Sequence, residues 1–182
     1  MEKDRLQQWI DNSQCIKFIE MTLISDVQGL GRLDVELIKE TERLKTKPKL
    51  QRRTRLKHLT LSKLWILGAY ELVRLMREIT QKPNTLVPEE TKLEIHKTLK
   101  EFEKIRIPLT KFQMPRRQKP KKPNRLFAQF PDSFIDSSGE VGWKVHTTIE
   151  SRPIEIYYRR TFGDLLLKLL EYISEDIKTK LV

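Results

Sequence analysis

Cysteine is almost missing from this chain of 182 residues: Cys15 stands alone, which rules out an internal disulfide framework and a cysteine-rich zinc site. A glycine-rich phosphate loop is missing too, because Gly29-Leu30-Gly31 has neither a third glycine nor a following Lys-Ser/Thr. The three histidines, His58, His96 and His146, lie far apart and form no HExxH-type ligand pair, and no two acids converge as a hydrolytic carboxylate pair. The expectation is a protein without metal or cofactor, and not an enzyme of the metal or nucleotide classes. No stretch reaches the roughly 18 to 20 apolar residues of a membrane span, and MEKDRLQQWIDNSQ lacks the apolar core of a signal peptide. A soluble, intracellular protein of the cytoplasm, with no membrane partner, is expected. No internal repeat is visible.

What is present is positive charge. The net charge is +11 and the isoelectric point about 9.8, which points to a polyanionic partner: nucleic acid or the acidic surface of another protein. At this length one domain can bury about 70% of its unfolded surface.

The segment Leu59 to Ile79 organises the rest. Leu61, Leu64, Trp65, Leu67, Leu72, Val73, Leu75, Met76 and Ile79 fill more than one helical stripe, so the spacing predicts a central helix covered on at least two sides. Gly68-Ala69 offers a notch for a neighbouring element. Residues 3 to 27 carry apolar residues at helical spacing and predict an amphipathic first helix, which Gly29 and Gly31 would end. Leu33, Leu37, Ile38 and Leu44 begin a second helix, packed as a hairpin on the first. Pro48 opens the third, from about Lys49 through Ile79, and Pro88-Glu89-Glu90 opens a fourth that runs to Pro108.

From Lys104 to Pro131 no acid occurs, and Pro115 to Pro123 is a basic, proline-rich run without periodicity, read as an exposed loop. The period then changes to two. Strands are expected over Leu126–Phe130, Val141–Ile149 and Ile154–Tyr158, with turns at Ser137-Ser138-Gly139 and at Glu150–Pro153. Thr161 and Asp164 match a capping box ahead of a closing helix whose stripe is Phe162, Leu165, Leu166, Leu169, Leu170, Ile173 and Ile177.

The expected fold is α+β: predominantly a bundle of four helices, with a small antiparallel β-sheet and a C-terminal helix packing back on the bundle. Residues 1–110 make the bundle and 111–125 the basic proline-rich loop. Residues 126–182 make the sheet and closing helix, forming one compact domain with 1–110.

Two basic clusters carry the functional expectation. Arg52, Arg53, Arg55 and Lys57 lie in the first half of the third helix, and Arg116, Arg117, Lys119, Lys121, Lys122 and Arg125 in the loop. Lysine and arginine neutralise phosphates and release counterions, so the two clusters together suit a nucleic-acid backbone, RNA or DNA. No zinc finger, RNP aromatic pattern or GxxG clamp implies sequence readout. The expected function is a non-enzymatic accessory protein binding nucleic-acid phosphates, as a subunit of a larger assembly; a protein-interaction subunit docking an acidic partner is the alternative. Trp143, Tyr157 and Tyr158 are expected to hold the sheet to the helices, and Cys15 to be a buried small residue.

Arg53-Thr54-Arg55-Leu56-Lys57-His58 also resembles the Arg-x4-6-His motif of HEPN-type helical ribonucleases. In that family two copies of the motif meet by dimerisation and promote metal-independent attack of the RNA 2'-hydroxyl on its own phosphodiester. The resemblance implies Arg53 as the phosphate-stabilising cation and His58 as the acid or base. The other reading of the same residues is a basic, solvated helix face with His58 as an incidental member.

Overall fold

The computed structural model describes residues 2–46, 52–83, 85, 87–111, 131–146 and 154–181. The expected α+β architecture forms. Helices α1 (Glu2–Ser13), α2 (Leu23–Thr46), α3 (Arg52–Thr80) and α4 (Glu89–Lys111) precede strands β1 (Asp132–Ile135), β2 (Val141–His146) and β3 (Ile154–Tyr158), and helix α5 (Arg159–Leu181) closes the chain. Helix α3 is central, touching α2, α4, α5 and the first two strands. Trp65, Ile66, Ala69, Val73 and Met76 are fully buried along it. The Gly68 notch admits Leu30, whose methyl lies 3.3 Å from where a Cβ would stand, and the Trp65 indole donates to the Leu30 carbonyl at 2.9 Å. Leu64 departs from the expectation: it is 55% exposed, because neither α2 nor α4 reaches across that side of the helix.

The first helical boundary also differs from the periodicity. The helix expected over 3–27 breaks after Ser13 into a 3-10 turn (Gln14–Phe18), and α2 starts at Leu23. The Ser13 hydroxyl bonds back to the Ile10 carbonyl at 2.6 Å, while the Glu20 carboxylate accepts from the Thr22 amide at 3.3 Å and its hydroxyl at 3.2 Å ahead of α2. These local side-chain bonds compete with helix continuation. Gly29 and Gly31 therefore lie inside α2 and end nothing. At Gly31 a Cβ would stand 2.6 Å from Trp9, so the roughly 1 kcal/mol that a mid-helix glycine costs is offset by the burial of an indole.

In α4, Glu89 and Glu90 sit at the positive end of the helix dipole as expected. Ile95, Leu99, Phe102, Ile105 and Leu109 face the core, and Glu–Lys pairs three residues apart lace the outer face. The helix runs through Pro108 rather than stopping there. Proline forfeits one backbone donor, but Leu109, 2% exposed, anchors the next turn and Thr110 bonds the Arg106 carbonyl at 2.9 Å.

The sheet is antiparallel in the order β1-β2-β3, with Ser133 opposite Trp143 and Trp143 opposite Tyr157. Val141, Trp143 and Val145 point into the core. The β1–β2 turn falls at the expected residues. Asp136 accepts from the Ser138 amide (2.8 Å), the Ser138 hydroxyl (2.6 Å) and the Glu140 amide (3.0 Å), and Gly139 takes φ 82°. The expected strand 126–130 and turn 150–153 lie outside the described residues. Helix α5 follows β3 without a loop, so Thr161 is inside the helix and is no cap; the ordered end of β3 starts the helix two residues earlier than the capping-box pattern implied. Phe162, Leu166, Leu169, Leu170 and Ile173 dock on the bundle. The Thr91 hydroxyl on α4 bonds Asp176 on α5.

Candidate functional site

Arg52, Arg53 and Lys57 are exposed on the first two turns of α3, with Arg55 half-buried between them. Among the described residues no ion pair engages Arg52, Arg53 or Lys57. Behind them a groove of about 560 Å³ runs between α2 and α3. Glu36, Glu40 and Arg43 form its α2 wall, and Arg53, Thr54, Lys57 and His58 its α3 wall, with leucines at its base. Arg43 is 3.6 Å from Glu40. Three cations thus face two carboxylates, and the excess positive charge lies at the α3 end.

The groove brings Arg53 and His58 to one wall, but not as a solvated pair. His58 is 2% exposed. Its Nε2 lies 3.3 Å from the Thr41 hydroxyl, and the Gly139 backbone meets the ring from the β1–β2 turn. Burial holds the imidazole below its ordinary pKa of 6.5, and the Arg159 charge lowers it further; Glu40 and the Gly139 backbone oppose this. The reading of His58 as an incidental member of a solvated face is corrected here: the α2 and hairpin contacts roof it over. A HEPN-type role would need that ring to reach an RNA 2'-hydroxyl, and the roof stands between them.

Next to His58 lies a buried ionic node that no motif announced. The Asp34 carboxylate, fully buried on α2, accepts from Arg5 Nε at 2.6 Å, from the Trp9 indole at 3.1 Å and from the fully buried Arg159. Arg5 reaches on to Asp164 at 2.7 Å, and Arg159 Nε lies 3.7 Å from Glu140. The node ties α1, α2, the β2 entrance and α5 at one point. Its partial signal in the sequence is an acid in the buried α2 stripe, where Val27, Asp34, Leu37, Ile38, Thr41 and Leu44 share one face. Burial raises the Glu140 carboxyl pKa, opposed by the Arg159 charge.

A second cavity, about 450 Å³, opens between the end of α2, the β1–β2 turn and the start of α5. Lys45 and Arg160 face Glu42, Asp136 and Asp164 there, so it has no dominant sign, and Asp136 is already spent on the turn. Among the described residues no group of three His, Cys, Asp or Glu could hold a metal ion, and no helix is long and apolar enough to cross a membrane. Trp143 is fully buried and Tyr157 stacks at 6.1 Å on Phe162, so both hold the sheet to α5; Cys15 is buried. The loop cations Arg116, Arg117, Lys119, Lys121, Lys122 and Arg125 lie outside the described residues. No family model, curated protein or solved structure matches the chain.

Proposed function

We propose that the protein is a non-enzymatic accessory protein that holds nucleic-acid backbone phosphates on the N-terminal turns of α3, with Arg52, Arg53 and Lys57 as the principal contacts. One observation carries this reading. Cations at a helix N-terminus oppose the macrodipole, and Arg53 and Lys57, four apart, repel each other at a cost of a few tenths of a kcal/mol. The chain obeys the dipole rule at α4, which opens on Glu89 and Glu90, and breaks it at α3, whose first turn holds no acid. Folding gains nothing from these cations, and a phosphate backbone supplies the negative charge they lack. Arg55 and the basic loop add to the same field by sequence.

The test is fluorescence anisotropy of labelled single-stranded RNA and duplex DNA across a salt series, followed by a gel of the recovered RNA. Affinity should fall steeply with salt, and replacing Arg52, Arg53 and Lys57 by alanine should flatten the log–log slope by about 2 to 3, at roughly 0.7 to 0.9 per phosphate contact. An unchanged slope in that variant would overturn the assignment. Binding to neither nucleic acid near physiological salt would replace it with an acidic protein partner. RNA cut by the wild type and spared by His58→Ala would replace it with the ribonuclease reading.

A further inference from the structure

The middle of α3 carries an apolar ridge that nothing covers. Leu56, Thr60, Leu64 and Gly68 follow one another at four-residue spacing, all exposed, without a charge among them. Leu56 is 62% and Leu64 55% exposed. Single surface leucines are ordinary; a row of uncharged positions over four turns of the most buried helix in the molecule is not. The ridge is bounded by a cation at one end, Lys57, and an anion at the other, Glu71, each seven residues from Leu64.

We propose that this ridge is the seam of a homodimer in which two copies of α3 cross antiparallel on a two-fold axis at Leu64. A two-fold contact must be self-complementary, and this row is so in that one register. Leu64 meets its own copy. Thr60 faces Gly68 of the second copy, a small residue against a glycine that lets the backbones approach. Lys57 faces Glu71. The Glu71 carboxylate holds Arg74 through one oxygen at 2.6 Å, while Arg106 stands 3.7 Å from the other, beyond hydrogen-bond length, so an acceptor remains for a third cation. Rows of four-residue spacing interdigitate when helix axes cross at about 50°, an angle that also turns the exposed α2 surface at Gly29 toward the partner. Gly29 has open space where a side chain would stand. A different protein would have no reason to match this palindrome of charge and size, which is why a second copy is the occupant.

Sedimentation velocity on the full chain from low to high micromolar concentration tests this. Wild type should show a concentration-dependent monomer–dimer equilibrium, and Leu64→Glu should weaken it by about 30-fold or more, the loss typical of a central anchor, with an unchanged circular dichroism spectrum. Lys57→Glu and Glu71→Lys should each weaken the dimer about tenfold, and the two together should restore most of the loss. A short bismaleimide should cross-link Leu64→Cys to itself and leave Leu93→Cys, equally exposed on α4, as monomer; this readout needs no change of charge in the ridge. A monomer at every concentration, a dimer indifferent to Leu64→Glu, or a double reversal no better than the single ones would overturn the proposal.

Discussion

Replacing Asp34 by alanine should be among the most damaging single changes in the molecule. The carboxylate is fully buried and accepts from two guanidinium groups and an indole. Charge-assisted hydrogen bonds contribute about 1.5 to 3 kcal/mol each, but Arg5 keeps Asp164, so the loss concentrates on Arg159, which is fully buried and has only Glu140 at 3.7 Å in reserve. Removing one partner of a buried pair costs about 3 to 5 kcal/mol, chiefly because the other charge is stranded. Against a total stability of about 5 to 15 kcal/mol, that is a third or more of the fold. Urea denaturation followed by tryptophan emission suits the measurement, since Trp9 donates to Asp34 and the Arg159 guanidinium lies 5.7 Å from the centre of the Trp65 ring. The midpoint should fall by about 1 to 2 M with the slope unchanged. Asp34→Asn, which keeps an acceptor but not the charge, should lose less. Asp34→Leu combined with Arg159→Met should recover most of the loss, because the stranded charge is gone. A loss under about 1 kcal/mol for Asp34→Ala, the median worth of an exposed pair, would refute the placement of this node in the core.

Gly139→Ala should destabilise by about 2 kcal/mol or more, since φ is 82° and a Cβ would stand 2.3 Å from the Thr41 carbonyl; thermal melting reads this, and a neutral result would mean the hairpin does not seat on α2. His58 should make the protein acid-sensitive. Its folded pKa is below the ordinary 6.5, so the unfolded chain binds the proton first and stability falls as pH drops below about 6.5, by at most about 1.4 kcal/mol per unit, levelling off below the folded value. Glu140, with a raised pKa, acts in the opposite sense: its contribution is fully present below the ordinary carboxylate value and is lost as pH rises through the folded value. The histidine limb should therefore be isolated by His58→Phe, which would flatten the fall in denaturation midpoints between neutral and mildly acid pH; an unflattened curve would assign the fall to other groups.

Much of the fold was legible because it rests on periodicity. The apolar stripes of α3, α4 and α5, the acids that open α4 and the turn at Ser137-Ser138-Gly139 are local signals, and the structure repeats them. The failures share a cause: a side chain whose partner is distant in sequence. Gly31 read as a helix end because Trp9, which needs the space, is 22 residues away and its packing is not periodic. Thr161 and Asp164 read as a cap, yet Asp164 is engaged by Arg5 from the other end of the chain. Asp34 interrupts an apolar stripe, and only the tertiary fold shows that Arg5, Trp9 and Arg159 converge to satisfy it. His58 read as solvated for the same reason, since Thr41 and Gly139 roof it from two other elements. Of the candidate site, the exposed α3 cations were legible as charge, while the groove behind them, built by two helices, was not.

The proposed seam and the proposed phosphate contacts share Lys57, and that sharing sets how the two would work together. A lysine facing Glu71 of a second copy is partly withdrawn from the phosphate set, leaving Arg52 and Arg53 as the cations of each basic end. At 1.5 Å of rise per residue, two crossed α3 helices centred on Leu64 place their Arg53 residues about 30 Å apart, close to the roughly 34 to 36 Å repeat of a duplex. A dimer would engage two backbone sites on one duplex at once, the second contact being made at high effective concentration. A single strand has no fixed spacing to match and gains less from the second end. Dimerisation would thus lose one cation per copy and gain bivalence, and the balance favours duplex over single strand only while the seam holds. Leu64→Glu removes the seam without touching a basic residue, so it should lower duplex affinity while sparing single-strand affinity. Equal losses on both nucleic acids would mean that the two basic ends act independently.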